Sequence, residues 1–227
     1  MSSDDKYSKF YNQTKLAVYP SEFLIRALLG HYPNHSVDKK SLSGGNALDL
    51  GCGDGRNFKL LADLGLNLYG LEITQEICDT IQSRMKDAGL NVSVLCGRND
   101  CIPFENQFFD LIVASSSCYY MNEGDKFEKH VSEIARVMKP GGTFICTLPM
   151  PTTFIMKNAT DLGEGHMRIK EDPYGVRVGS ILKKFDSETE IEAYLGKEFD
   201  NIAIGKQQDD WWGEAVHLWV VSCKKRV

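Results

Sequence analysis

The sequence predicts a three-layer α/β domain, with a mainly parallel sheet and helices packed on both of its faces. Three observations carry this expectation. From Asn46 to Leu148, short apolar runs alternate with stretches whose apolar residues recur at helical spacing. The first of these runs ends in the turn Gly51-Cys52-Gly53-Asp54-Gly55, where glycines permit backbone angles and close ligand approach that side chains forbid. The last two apolar runs are joined without a helix, so they are expected as antiparallel neighbours.

Taken in order, residues 1–19 are polar with scattered aromatics, Tyr7, Phe10, Tyr11 and Tyr19. Pro20 opens a helix with Phe23, Leu24, Ala27 and Leu28 on one face, closed by Gly30. His31 to Gly45 is a loop. His31 and His35 have the spacing of a helical metal pair, but Pro33 between them breaks the helix that a pair needs. Asn46 to Leu50 is a buried strand, and a helix is expected to begin near Arg56 with Phe58, Leu61 and Ala62 inward and a stop at Gly65. Asn67 to Glu72 is the second strand. Thr74 then caps a helix carrying Ile77, Ile81, Met85 and Ala88, ended by Gly89.

A third strand follows at Asn91 to Cys96, and a near-continuous apolar strand at Phe109 to Ser115. Phe127, Val131, Ile134 and Met138 form a helical stripe stopped by Pro140 and Gly141-Gly142, before a strand at Thr143 to Leu148. Periodicity then disappears from Pro149 to about Ser180, a length that points to a functional insertion. Ser187 with Glu190 is a capping box for a helix with Ile191, Tyr194 and Leu195 inward. The final strands are Asn201 to Gly205 and Ala215 to Cys223, joined by Lys206 to Glu214.

Length and composition fit one soluble domain: 227 residues, 42% hydrophobic and 25% charged. No apolar run reaches membrane-crossing length. The polar N-terminus lacks an apolar signal segment, which predicts a cytoplasmic protein. Seven cysteines without a C-x-x-C pair fit free thiols rather than a disulfide framework or zinc site. A net charge of −5 argues against a nucleic-acid partner.

The glycine turn suits a ligand with an anionic or carboxylate end. It is not the dinucleotide fingerprint, because Arg56 stands where the third glycine belongs. Asp49 followed by Gly51, Gly53 and Gly55 resembles the first motif of the class I S-adenosylmethionine-dependent methyltransferases. Three further stretches are similar to that family's motifs and occur in its order: the strand ending at Glu72; Gly97 to Phe104 with Phe108-Phe109-Asp110; and Arg136-Val137-Met138-Lys139-Pro140-Gly141-Gly142.

The resemblance covers residues 46–148. It implies a Rossmann-like sandwich with a seven-stranded, mostly parallel sheet whose last strand is reversed, forming a single methyltransferase domain over 1–227. Within it, 1–30 serves as an N-terminal helical lid and 149–182 as a substrate-side insertion. It further implies that S-adenosylmethionine binds and leaves as S-adenosylhomocysteine. The contacts expected are Asp49, Gly51, Cys52, Gly53, Glu72, Ile73, Arg98, Asn99, Asp100, Ser115 and Tyr11, with the carboxylate of Glu72 accepting both ribose hydroxyls. Relatives carry an acid directly after the glycine of the third motif, where it meets the adenine amino group. Here that position is Arg98, leaving the contact to Asn99 or Asp100, with Arg98 stacking on the ring or facing water.

The activity implied is methyl transfer to a small molecule, with no metal. The rim is expected to gather the Gly51 loop, Glu72, Asn99, Ser115, the insertion and the Asp209 to Glu214 turn. Acceptor-side candidates are Tyr119, Tyr120, His166, Arg168, Tyr174, Arg177, Asp209, Asp210, Trp211 and His217. His166, in a glycine-flanked stretch, is the candidate base, with a surface loop histidine as the alternative reading. Of Trp211 and Trp212, one is expected to face inward. Ser115-Ser116-Ser117-Cys118-Tyr119 is not the Asn/Asp-Pro-Pro-aromatic motif of base-modifying enzymes. A protein or RNA target by another route, and a binding protein without catalysis, remain the rival readings.

Overall fold

In β1 (Asn46–Leu50) alternate residues serve opposite faces of a sheet, Ala47 one and Leu48 and Leu50 the other, all of them fully buried. That strand lies inside the main sheet of the computed structural model, which describes residues 3–13 and 19–227. It pairs in parallel with β2 (Asn67–Glu72) on one side. On the other it meets β4 (Phe109–Ala114), with β3 (Val92–Cys96) beyond β2. Beyond β4 the sheet continues through β6 (Met138–Pro149), then β11 (Glu214–Lys225), then β10 (Phe199–Trp211) at the edge. β11 runs antiparallel to both β6 and β10, and the other pairs of this sheet are parallel. The seven-stranded sheet with a reversed last strand is therefore present. The β5 pair, Tyr120–Met121, and three short strands, β7 (Thr160–Asp161), β8 (His166–Arg168) and β9 (Ile181–Lys183), make a second, antiparallel sheet.

Helices α2 (Glu22–Leu29), α4 (Phe58–Asp63) and α5 (Gln75–Asp87) cover one face, burying Phe23, Leu24, Phe58, Leu61, Ile77 and Ile81 against Ala47, Leu68 and Val113. Helices α6 (Phe127–Val137) and α7 (Glu188–Leu195) cover the other, where Val131, Ile134, Ile191 and Leu195 meet Leu48, Ile112 and Phe144. α1 (Ser3–Gln13) lies over the carboxyl ends of the strands, and α3 (Lys39–Leu42) precedes β1. Residues 14–18, part of the expected lid, lie outside the described residues.

The local signals act as their chemistry requires. Thr74 accepts the N–H of Ile77, and Ser187 that of Glu190. Glu190 reaches back to the N–H of Asp186 at 2.8 Å rather than to its own cap residue, and it also pairs with the buried ammonium of Lys183 at 3.0 Å. Asp110 accepts from Asn46 N at 2.8 Å and from Lys139 Nζ at 2.7 Å, so it ties the starts of β1 and β4 to the start of β6. Phe104, Phe108 and Phe109 pack edge-on around Tyr69.

Three expectations need correction. The helix after the glycine turn starts at Phe58, not near Arg56, and α4 is only six residues long. α6 ends at Val137, and Met138 pairs with Phe109 instead of extending the helix, because a register shift lets β6 begin early. The 206–214 connection is mostly strand: β10 and β11 extend to a two-residue turn at Trp212-Gly213, both with positive φ (54° and 94°). Antiparallel hydrogen bonds outweigh the polar composition of Lys206 to Asp210, and those charges guard the open edge. Pro149 to Ser180, aperiodic in sequence, contributes β7, β8 and a 3-10 turn at Phe154–Met156. Its buried Ile155, Met156, Met167 and Ile169 join the apolar cluster beneath α6.

Candidate functional site

β1 ends where the strand order reverses, the position at which open α/β sheets leave a crevice. A cavity of about 650 Å3 opens there, of a size for a cofactor-sized ligand. Gly51, Gly53 and Gly55 all have positive φ (67°, 57° and 81°). A Cβ on Gly51 would stand 2.6 Å from Ser117 Cβ, and one on Gly53 2.8 Å from the Tyr11 hydroxyl, so the turn is as narrow as the main chain allows.

Glu72 folds back from the end of β2 onto this turn. Its Oε1 accepts from Gly53 N at 2.7 Å and its Oε2 from Ile73 N at 3.1 Å. Each carboxylate oxygen keeps a second lone pair for a ligand hydroxyl. The side chain is buried, and loss of water raises its pKa.

Gly51, Cys52, Gly53, Glu72, Ile73, Arg98, Asn99, Asp100, Ser115 and Tyr11 all border the cavity. Asp49 does not. It lies beneath the turn with no solvent exposure, its Oδ2 accepting from Asn57 Nδ2 at 3.1 Å, so it reaches the cavity only through Asn57. Asp49 Oδ1 has no partner among the described residues. Burial, reinforced by the charges of Glu72 and Asp54 and opposed by the Asn57 bond, pushes its pKa up to about 7.

A raised carboxyl pKa has a definite consequence for folding. Unfolded, Asp49 ionises near pH 4; folded, it holds its proton until about pH 7. Its contribution is therefore fully present below pH 4 and is lost as pH rises toward 7, on the order of a few kcal/mol. Urea titrations of the ligand-free protein between pH 4 and 7 are expected to show a flatter pH dependence for Asp49→Asn than for wild type. Identical slopes would rule out this titration.

The third-motif residues are spoken for unequally. Arg98 pairs with Asp4 of α1 at 2.6 Å and keeps its side chain about half exposed. Asp100 pairs with Lys129 at 2.8 Å, and that hydrogen bond lowers its pKa. Asn99, which borders the cavity, donates Nδ2 to Ser117 O at 2.9 Å.

On the other side of the cavity stand Tyr120, Arg168 and Arg177. The remaining acceptor-side candidates are elsewhere. His166 does not border the cavity, and its Nδ1 contacts Gly163 O at 3.2 Å. His217 contacts Thr152 Oγ1 at 2.8 Å. Tyr119 is buried, Tyr174 is exposed, and neither Asp209 nor Asp210 lines the space. Trp211 and Trp212 are both exposed, at 51% and 94%, so neither faces inward. The hairpin tip that carries them belongs to the outermost strands, away from the switch point.

Sequence reasoning missed Tyr7, Asn57 and His130, all of which border the cavity. Tyr7 and Tyr11 are four residues apart on α1 with rings 6.2 Å apart, and that spacing was the available signal. Burial raises the pKa of both phenols, so they remain protonated. α1 is fastened over the cavity at several points: Asp4 to Arg98, Lys6 Nζ to Val178 O at 2.8 Å, Tyr7 to Tyr120 at 2.7 Å, and Arg84 to Tyr11 O at 2.7 Å. His130 holds Nδ1 against Cys118 O at 3.1 Å, and burial lowers its pKa, so it is neutral. Among the described residues no cluster of three or more His, Cys, Asp or Glu could hold a metal, and no helix is long and apolar enough to cross a membrane.

Comparison with known proteins agrees with this geometry. Residues 48–146 match the family model described as a methyltransferase domain. The chain is 35% identical over 114 residues to a sterol 4-C-methyltransferase of Caenorhabditis elegans, covering 49% of this chain and 33% of that protein. It is 31% identical over 126 residues to a demethylmenaquinone methyltransferase of Lactococcus lactis, covering 53% and 49% respectively. The matches thus span between a third and a half of these relatives' length. Among solved structures, a SAM-dependent methyltransferase of Methanosarcina mazei superposes with a TM-score of 0.64 at 20% identity, over 87% of this chain and 99% of that one; at such identity the likeness is one of fold.

Proposed function

We propose that the chain, whose residues 48–146 match a methyltransferase domain, is a class I S-adenosylmethionine-dependent methyltransferase that transfers the cofactor's methyl group to a small-molecule acceptor. The observation that carries this reading is the doubly anchored Glu72 beside the Gly51 to Gly55 turn, with free lone pairs facing a cavity that also holds acceptor-side groups. The residues present fit the cofactor: the turn admits no side chain, and Glu72 offers acceptors for two ribose hydroxyls. The amino-acid end belongs at the glycine turn, the ribose at Glu72, and the adenine between Ile73 and Asn99.

When bound, the cofactor supplies a methyl group on a sulfonium, a good leaving system. The protein's part is to hold the acceptor atom about 3 Å from that carbon and to exclude water. α1, spanning from Arg98 to Val178, is placed to exclude it, and residues 149–182 form the wall of the acceptor site. A proton acceptor is required only if the acceptor atom carries a proton. His166 lies off the cavity and is not favoured for that task. The seven cysteines are free thiols, which suits a reducing compartment such as the cytoplasm.

Calorimetric titration is expected to give 1:1 binding of S-adenosylhomocysteine and none of NADH. Incubation with S-adenosylmethionine and a panel of small acceptors is then expected to release S-adenosylhomocysteine. Binding with no turnover on any acceptor would favour the non-catalytic reading, and absence of binding would overturn both.

A further inference from the structure

The acceptor side of the cavity holds hydrogen-bond donors that no group among the described residues uses. Tyr120 Oη accepts from Tyr7 Oη at 2.7 Å and from Arg177 Nε at 3.2 Å. With its oxygen bonded twice as an acceptor, the hydroxyl proton of Tyr120 has no acceptor among the described residues. Arg177 directs Nη1 to Asp172 at 3.2 Å, and its Nη2 likewise has no partner among the described residues.

This arginine is fixed in place. Asp172, whose side chain has no solvent exposure, also accepts the N–H groups of Tyr174, Val176 and Arg177, so it locks the loop that carries the guanidinium. Arg177 itself stays 31% exposed and borders the cavity. Arg168 stands on the same wall, where among the described residues its side chain meets only Glu123, at 3.3 Å and itself 84% exposed. Such an exposed pair is weak and readily yields to a ligand.

A planar guanidinium with a free arm beside a free phenolic O–H matches two oxygens on one carbon. We infer that the methyl acceptor is a carboxylate-bearing small molecule, with its carboxylate held by Arg177 Nη2 and Tyr120 Oη and attracted by Arg168. This rests on the methyltransferase reading above and specifies its substrate class. Because Tyr120 is also bonded to Tyr7 of α1, the carboxylate and the closing helix share one hydrogen-bonded chain.

The test pairs small carboxylic acids with their primary carboxamides, each bearing an amine, hydroxyl or thiol nucleophile. Protein saturated with S-adenosylhomocysteine is titrated with both sets, and release of S-adenosylhomocysteine is measured with S-adenosylmethionine. Acids alone are expected to bind and turn over. For the best acid, Arg177→Met is expected to lower kcat/KM about 100-fold, mostly through KM, with partial rescue in Arg177→Lys. Tyr120→Phe, which keeps the ring, is expected to cost about 10-fold. Affinity for S-adenosylhomocysteine is expected to stay within about twofold in all three variants, which separates this proposal from failure of the cofactor site. Equal use of acids and amides, or no binding of any acid by protein that binds S-adenosylhomocysteine, would overturn it.

Discussion

Glu72→Ala is expected to weaken binding of S-adenosylhomocysteine by about 100-fold or more. Charge-assisted hydrogen bonds are worth about 1.5–3 kcal/mol each, and the proposed ribose contact uses two. The substitution also orphans Gly53 N and Ile73 N, which the carboxylate now satisfies, so the turn loses the anchor that holds it open for the ligand. Glu72→Gln separates these effects. Its amide oxygen can still accept from Gly53 N, but its NH2 faces the N–H of Ile73, and an intermediate affinity is expected. Calorimetry at one pH measures both variants, with circular dichroism to confirm folding. Unchanged affinity in Glu72→Ala would remove the basis for placing the cofactor here.

The second large effect is steric. In Gly51→Ala the added Cβ lies 2.6 Å from Ser117 Cβ at a φ of 67°. Ser117 has little room to yield because its hydroxyl donates to Leu50 O. A left-handed backbone costs an alanine about 1–2 kcal/mol, and the clash adds to it, giving an expected loss of about 3 kcal/mol or more together with cofactor binding. Gly141→Ala is the matched control: its φ is 76°, but nothing lies within 4 Å of the new Cβ. That variant is expected to lose only the backbone part, about 1 kcal/mol, and to bind normally. Urea denaturation of the pair tests the argument, and equal losses would show that space around the turn is not what demands glycine at position 51.

These two predictions fall on residues that the sequence singles out, and the reason is physical. A glycine turn after an apolar strand, an acid closing the next strand, and caps such as Thr74 and Ser187 depend on neighbours within a few residues, so their signatures are local. The helical stripes of α5 and α6 and the reversed closing hairpin are legible for the same reason. Asp49 marks the limit of that reading. Its place in the motif suggests a ligand contact, yet it lies one layer below the cavity, bonded to Asn57. His166 has a plausible base's setting in sequence, but which way the insertion turns decides what it faces, and here it lies off the cavity.

By itself, then, the sequence determined the three-layer sandwich, its strand directions, and the turn and acid that border one side of the cavity, because periodicity and glycine chemistry act along the chain. Only the tertiary structure decided the opposite side, where the acceptor is proposed to bind. There, Tyr7 from the first helix, Tyr120 from a two-residue strand and Arg177 from an aperiodic loop meet within hydrogen-bonding distance, although 113 residues separate the first pair and 57 the second. No pattern along the chain encodes such a meeting, because it depends on how the small sheet of β5, β7, β8 and β9 folds over the crevice and how α1 closes onto it.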